Sequence, residues 1–427
     1  MGTTMNMLLK NGRVIDPSCG RDLQTDILIR DGKIAEIGTC DPAQAECILD
    51  CTGMIAAPGL IDAHVHLRDP GLSYKASIAT DTYAAAKGGV THVVAMANVI
   101  PVPHTVSAHQ MIMERMRKEA KVKATQVASL TPSIQSQNII SKELSDIDEL
   151  VASGVEIFSD DGNCLMDLTV LYKILMKTKE HNMIIMLHEE DEHMKWFEPT
   201  AFLHSAESSI VARDLELIRD VGGRRIHFQH ISSRRSVELI RQAKADGLSV
   251  SSEVCPHHLL LTKAARDIYG TNAKMAPCLQ TQDDIEALIE GLEDGTVDII
   301  VSDHAPHTPE DKATELVKAP NGVIGVEVMF PVLLNEFVHK RKFSYSWLLE
   351  KLTIKPARLL GLSGGTLNVG EPADVCIFSD REWVIKAENF ASISRNTPYD
   401  GWEVKGCVEM TLVDGKVVYS SGIIENR

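Results

Sequence analysis

Eight apolar runs rich in β-branched residues recur along the middle of the chain. They lie at about residues 59–66, 90–98, 123–130, 155–160, 183–188, 225–231, 249–255 and 297–302. Strands that are apolar on both faces belong to parallel sheets covered by helices. Helical patterns do alternate with these runs, such as Lys75–Lys87, closed by Gly88-Gly89, and Asp283–Leu292. Eight strand–helix units over roughly 300 residues predict a closed (β/α)₈ barrel of the α/β class. A doubly wound open sheet competes, but no G-x-G-x-x-G follows the first run.

The two ends of the chain have a different rhythm. Residues 7–57 read as short strands punctuated by Asn11-Gly12 and Asp31-Gly32, dipeptides that mark hairpin turns. The last residues do the same, with Ala373–Phe378, then Met410–Val413, Asp414-Gly415 and Lys416–Tyr419. At 427 residues the chain exceeds one typical domain. Residues 1–57 and 366–427 are therefore expected to join in one small β-sheet domain, leaving 58–365 as the barrel.

A barrel collects its chemistry at the C-terminal ends of its strands. The first run ends in Asp62-Ala63-His64-Val65-His66-Leu67-Arg68-Asp69-Pro70-Gly71. Alternate side chains of a strand share a face, so His64, His66 and Arg68 point one way. Two imidazoles so placed can grip a metal ion, and the guanidinium can hold an anion beside it. A lone His-x-His is as often a hydrogen-bonded core pair; Asp62, Arg68 and Pro-Gly tip the reading towards function. Asn98 ends the second run, Asp160-Asp161 the fourth, His188 the fifth and His230 the sixth. His257-His258 follow the seventh, and Asp303, His304 and His307 close the eighth. His188 or His230 alone reads equally well as structural, whereas the whole set does not.

Four imidazoles and two carboxylates exceed what one tetrahedral zinc needs. They suit two metal ions bridged by a carboxylate and a hydroxide, with the water made nucleophilic and the carbonyl polarised. A remaining carboxylate can carry a proton to the leaving nitrogen. The implied chemistry is hydrolysis at a carbonyl, or its reverse. No P-loop, nucleophile elbow or flavin fingerprint competes.

Composition narrows the partners. A net charge of −16 argues against nucleic acid or an anionic membrane. No apolar run reaches the ~18 residues of a membrane span. The opening Met1–Asn6 lacks the layout of a signal peptide or a myristoylation motif. The nine cysteines include no C-x-x-C pair and read as reduced thiols. A cytoplasmic protein acting on a small molecule is the expectation.

Several motifs carry a family resemblance: His64-Val65-His66-Leu67-Arg68-Asp69-Pro70-Gly71, Phe158-Ser159-Asp160-Asp161-Gly162, Pro256-His257-His258-Leu259-Leu260-Leu261 and Ser302-Asp303-His304-Ala305-Pro306-His307. With Lys318-Ala319-Pro320-Asn321-Gly322, they make the chain resemble the bacterial-type (class I) dihydroorotases of the amidohydrolase superfamily. The likeness runs from Leu8 to Tyr419. It implies two divalent metal ions, zinc first among them. His64, His66 and Asp303 would hold one, His188 and His230 the other, with Asp161 bridging and Asp160 forming the turn. No lysine lies between Ser153 and Leu171 to take the bridge in carboxylated form.

The resemblance further implies Asp303 as the proton shuttle. His66, Arg68, Asn98, His307, Asn321 and Gly322 would contact substrate, with Arg68, Asn98 and His307 on its carboxylate. The reaction would be the reversible closure of N-carbamoyl-L-aspartate to L-dihydroorotate in pyrimidine synthesis. A homodimer and an association with aspartate transcarbamoylase are further implications. Relatives that open hydantoin rings generally lack the arginine. Two departures stand out: Ala276 replaces an asparagine usual in the family, and the segment 191–205 is short. The competing readings are a cyclic amidohydrolase of the hydantoinase or allantoinase type, which Ala276 favours, and a non-catalytic dihydroorotase-like subunit.

Overall fold

The structure is a computed structural model, and it describes residues 5–132, 143–197 and 203–423. The chain opens with β1 (Met7–Asp16), β2 (Arg21–Arg30), β3 (Lys33–Gly38), β4 (Cys47–Asp50) and β5 (Ile55–Pro58). Eight strands of a second sheet system follow: β6 (Leu60–Val65), β7 (Val90–Ala95), β8 (Lys123–Gln126), β9 (Ile157–Ser159), β10 (Ile184–Leu187), β11 (Ile226–Phe228), β12 (Val250–Val254) and β13 (Ile299–Ile300). The chain closes with β14 (Val375–Val384), β15 (Glu403–Val413) and β16 (Lys416–Ser420).

Strands β6–β13 pair in parallel in chain order. Parallel bridges Ala128–Phe158 and Val65–His304 join the two open seams, so the barrel is closed. Its interior is lined by one parity of each strand, including Val94 and Met96, Ile184 and Met186, and Ile299 and Val301. The opposite parity, such as Val93, Ile185 and Ile300, packs outward in the main core beneath the helices. The helix Ile78–Lys87 begins at Ser77, whose hydroxyl accepts from the Thr80 N–H while its own N–H donates to the Thr80 hydroxyl. It starts later than the Lys75 expected from periodicity because that cap sets its first turn.

The remaining strands form one sheet in the order β16-β15-β14-β5-β1-β2-β3, with β4 on β1. Both chain ends thus share a sheet. It has its own core, built from Ile27, Ile29, Val375, Ile377 and Leu412 among others. Strand β5 pairs antiparallel with β14, with Pro58 opposite Val375, so the chain steps directly from this sheet into β6. Asp31-Gly32 and Asp414-Gly415 are tight turns with positive φ at both residues, 52° and 75°, then 47° and 71°. Asn11-Gly12 is not a turn: β1 runs through it with a bulge. Asn11 sits at φ 62° with its N–H donated to Asp26 Oδ1 at 2.9 Å, which leaves the strand kinked but unbroken. Among the described residues, no helix is long and apolar enough to cross a membrane.

Candidate metal centre and active site

The inward parity that builds the barrel interior continues past the strand ends. It carries 94 and 96 on to Asn98, 157 and 159 to Asp161, 184 and 186 to His188, and 299 and 301 to Asp303. Together with His64, His66 and His230, these residues are buried at one mouth of the barrel, apart from half-buried Asn98.

Asp161 is the hinge of the group. Its Oδ2 lies 3.3 Å from His64 Nε2 and 3.2 Å from His66 Nε2. Its Oδ1 lies 3.2 Å from both His188 Nδ1 and His230 Nε2. Asp303 Oδ1 faces the first pair, 3.1 Å from His66 Nε2 and 3.5 Å from His64 Nε2. One carboxylate therefore serves two imidazole pairs, one through each oxygen. Asp160 turns away, accepting from the Leu130 and Thr131 N–H groups and the Thr131 hydroxyl. The parity 157, 159, 161 separates the two aspartates once the strand is known.

The electrostatics of the group call for a cation. Burial pushes Asp161 up, yet His64, His188 and His230 hold it well below the usual carboxylate range. Burial would lower His64, but Asp161 and Glu253 raise it well above an ordinary histidine. His188 Nδ1 and His230 Nε2 are 2.9 Å apart and converge on the same Asp161 oxygen. A single proton can link one of these pairs, whereas a metal ion can link all three atoms. Among the described residues, His64 Nε2 is buried without a hydrogen-bond partner. The donor atoms of His64, His66 and Asp303, and of His64, Asp161 and His230, each lie within 4.8 Å of one another. The residues fit a divalent metal ion.

Two of these positions, His230 at φ 31° and Asp303 at φ 45°, and the nearby Arg68 at φ 59°, are backbone-strained. Left-handed backbone at non-glycine residues persists where the surroundings over-determine it.

The rim of the site comes from loops. Arg68 donates from Nε to the Pro306 carbonyl at 3.3 Å, and the rest of its fork makes no hydrogen bond among the described residues. Asn98 accepts from His66 Nδ1 at 2.9 Å, which leaves its NH₂ as the donor towards the mouth. His307 Nε2 donates to the Asn321 carbonyl at 2.8 Å, and Lys75 Nζ approaches its Nδ1 at 3.4 Å. Burial and then Arg68 press His307 far below an ordinary histidine, so its ring is neutral. Gly322 sits at φ 119°, and a Cβ there would meet Ala305 at 2.5 Å. Its N–H is donated to the Lys274 carbonyl and its carbonyl accepts from Asn396, so Gly322 shapes the loop through both main-chain groups.

Three residues of the sequence constellation, His257, His258 and His304, stand apart. His304 is buried against Asp81 at 2.7 Å and ties the first helix to β13. His258 donates to the Pro277 carbonyl at 2.9 Å, and with Cys255 and His257 forms a separate buried cluster. The segment 191–205 carries a helix at Glu192–Phe197, and residues 198–202 of it lie outside the described residues. Sequence reasoning missed Glu253, His227 and Lys75. A glutamate inside the apolar strand β12 is a signal for the first, since a buried charge needs partners. Lys75 sits in a loop and leaves no such trace.

Comparison with known proteins returns one consistent picture. Residues 55–418 match the amidohydrolase family. The chain is 39% identical to the dihydroorotase of Clostridioides difficile (strain 630), over 97% of this chain and 100% of that protein. It is 39% identical to the dihydroorotase of Lactococcus lactis subsp. lactis (strain IL1403), over 98% and 100%. Among solved structures, the L-hydantoinase (dihydropyrimidinase) of Arthrobacter aurescens superposes with a TM-score of 0.88 at 27% identity, covering 99% of this chain and 97% of that one. With the family and the side-chain clusters in agreement, the mouth of the barrel is a divalent-metal site.

Proposed function

This chain belongs to the amidohydrolase family, and we propose from that premise that it acts as a dihydroorotase, closing N-carbamoyl-L-aspartate to L-dihydroorotate reversibly in pyrimidine synthesis. The observation that carries this reading over a hydantoinase is Arg68. Its guanidinium is buried beside His66 and Asp303, with most of its fork free of partners among the described residues. A planar fork in that position recognises a carboxylate, which dihydroorotate has and a hydantoin ring lacks.

The two halves of the centre, both facing Asp161, support a reading with two ions: His64, His66 and Asp303 would hold one, and His188 and His230 the other. Imidazole with carboxylate suits zinc. When bound, the ions supply Lewis acidity, making water nucleophilic near neutral pH and polarising the carbonyl. The chain's own residues do the rest. Asp303 takes the proton from the attacking water and delivers it to the ring nitrogen as the amide bond opens; closure runs the same path in reverse. Arg68 and the Asn98 amide hold the substrate carboxylate. His307, neutral and bonded to the Asn321 carbonyl, fixes the loop that closes the rim. We also draw the domain division at residues 1–57 with 366–427 against 58–365, which follows the sheet order.

The test is metal analysis of the purified protein beside assays in both directions on dihydroorotate and carbamoyl-aspartate, with hydantoin as the comparison. Metal-dependent turnover of dihydroorotate well above that of hydantoin is expected. Faster opening of hydantoin would transfer the assignment to the hydantoinases.

A further inference from the structure

We propose that Glu253 is a positioning residue that sets the tautomer and orientation of His64, and through them the grip on the metal held by His64, His66 and Asp303. The proposal rests on the metal-dependent reading above. Glu253 lies inside β12 with no exposure to solvent. A carboxylate buried that deeply must find partners for both oxygens. Oε1 meets His64 Nδ1 at 2.6 Å and the main-chain N–H of His230 at 3.3 Å. Oε2 meets His227 Nε2 at 3.0 Å, and His227 Nδ1 in turn meets Ser251 Oγ at 2.8 Å.

The chemistry follows from which nitrogen carries the proton. A carboxylate only accepts, so His64 Nδ1 must be the donor. His64 Nε2 is then a lone pair aimed at the space between Asp161 and Asp303. That is the tautomer a metal ligand requires, and a carboxylate behind the imidazole also raises its basicity. Gln229 offers a rival contact, its Nε2 being 3.3 Å from the same His64 nitrogen, with its oxygen occupied by Ser159. That amide can only donate, and so would force the opposite tautomer. The shorter, charge-assisted bond to Glu253 overrides it. Without Glu253, His64 would accept from Gln229 and turn an Nε2–H towards Asp161, closing the site to a cation.

The contrast within the same half is informative. His66 has a neutral orienter, the Asn98 amide oxygen, where His64 has a full charge. The Glu253 oxygen that holds His64 also accepts from the main-chain N–H of His230, a contact that the oxygen of a glutamine would keep.

The experiment is a zinc titration of the metal-free protein against a competing chelator, comparing wild type with Glu253→Gln. Glutamine keeps the shape and an acceptor oxygen but drops the charge. Loss of such an outer partner weakens metal binding about 10- to 100-fold. That loss should fall on one of the two metals, with the other near its wild-type affinity, and excess zinc should restore kcat. On a His188→Asn background, where the His64 half remains whole, the same substitution should weaken the single metal left. Thermal unfolding of the metal-free forms reports whether the fold is kept. Unchanged affinity, or equal weakening of both metals, overturns the proposal. A wild type that binds no metal would instead sink the reading it rests on. If Glu253→Gln does not fold, His227→Asn takes its place, since it leaves Glu253 on His64 and removes the far partner. A smaller loss at the same metal is expected, and a loss at the other metal overturns the idea.

Discussion

The floor and the rim of this active site are built on different principles. The floor consists of side chains at or just past the ends of barrel strands, most of them on the inward parity, with His64 locked by Glu253 and His66 by Asn98. The rim consists of loop residues whose positions are fixed by main-chain carbonyls: Pro306 under Arg68, Asn321 under His307, Lys274 under Gly322. The fold itself is kept at wide divergence: a hydantoinase superposes with a TM-score of 0.88 at 27% identity. A rim set by loops is where the proposed function would tell ring substrates apart. On the proposed function, the floor would supply the reaction and the rim would select what undergoes it.

The largest expected effect comes from breaking the floor at its hinge. Asp161→Asn removes the charge that faces both imidazole pairs, so both metals should be lost together. Turnover should fall by more than the about 10⁴-fold that an acid–base group alone can cost. Metal content and activity measured on the same sample check this. Retention of two tightly held ions would mean that the bridge lies elsewhere.

Asp303→Asn comes next. Its carboxylate is 3.1 Å from His66 and is held below the ordinary aspartate range by His66 and His64, against the push of burial. The variant should keep its fold and lose turnover about 10²- to 10⁴-fold. More than roughly a tenth of wild-type activity would move the proton transfer to another group.

This contrast also accounts for what could be read from the sequence. The barrel was legible because eight doubly apolar runs leave few alternatives, and the floor because ligand-type residues end six of those strands. Parity alone does not choose Asp161 over Asp160; the family resemblance implies Asp161, and the extent of β9 shows why the adjacent residues present different faces. Glu253 was hidden because a lone glutamate within a strand reveals a partner's existence but not its identity. Short motifs mark Arg68, His307, Asn321 and Gly322 of the rim, but Lys75, Asn396 and the carbonyls that pin these residues come from segments far apart in the chain. Main-chain acceptors have no residue type to recognise. His304 misled for the opposite reason, having the right type and place but a buried carboxylate, Asp81, on the other side.

At the rim, Arg68 is the sharpest probe. Its fork contributes on the order of 1.5–3 kcal/mol to a bound carboxylate. Arg68→Met should therefore weaken dihydroorotate about 10- to 100-fold, mostly in KM, with metal content unchanged. Lysine should rescue partly, offering a point charge without the planar fork. An uncharged hydantoin should barely respond. Equal losses on both substrates would make Arg68 a structural brace on Pro306, and the distinction between floor and rim would lose its best support.

The smallest effect tests whether the rim is fully adapted to this substrate. Ala276 stands where the family resemblance implies asparagine, and it is half-buried between two pinned points. On one side, the Lys274 carbonyl accepts from Gly322 at 2.9 Å. On the other, the Pro277 carbonyl accepts from His258 at 2.9 Å. The backbone is thus held in place while the side chain offers no hydrogen bond. If the site turns over dihydroorotate with one contact missing, Ala276→Asn should restore it and raise kcat/KM about two- to tenfold, the range of a single net hydrogen bond. The metals should be indifferent to the change, because the floor is untouched. A fall in kcat/KM on dihydroorotate, with or without a gain on hydantoin, would mean that the space left by alanine is itself part of the fit. The rim would then be tuned to a bulkier or less polar ring than the floor requires, and specificity would have to be sought among the loop residues that pin residues 274–278.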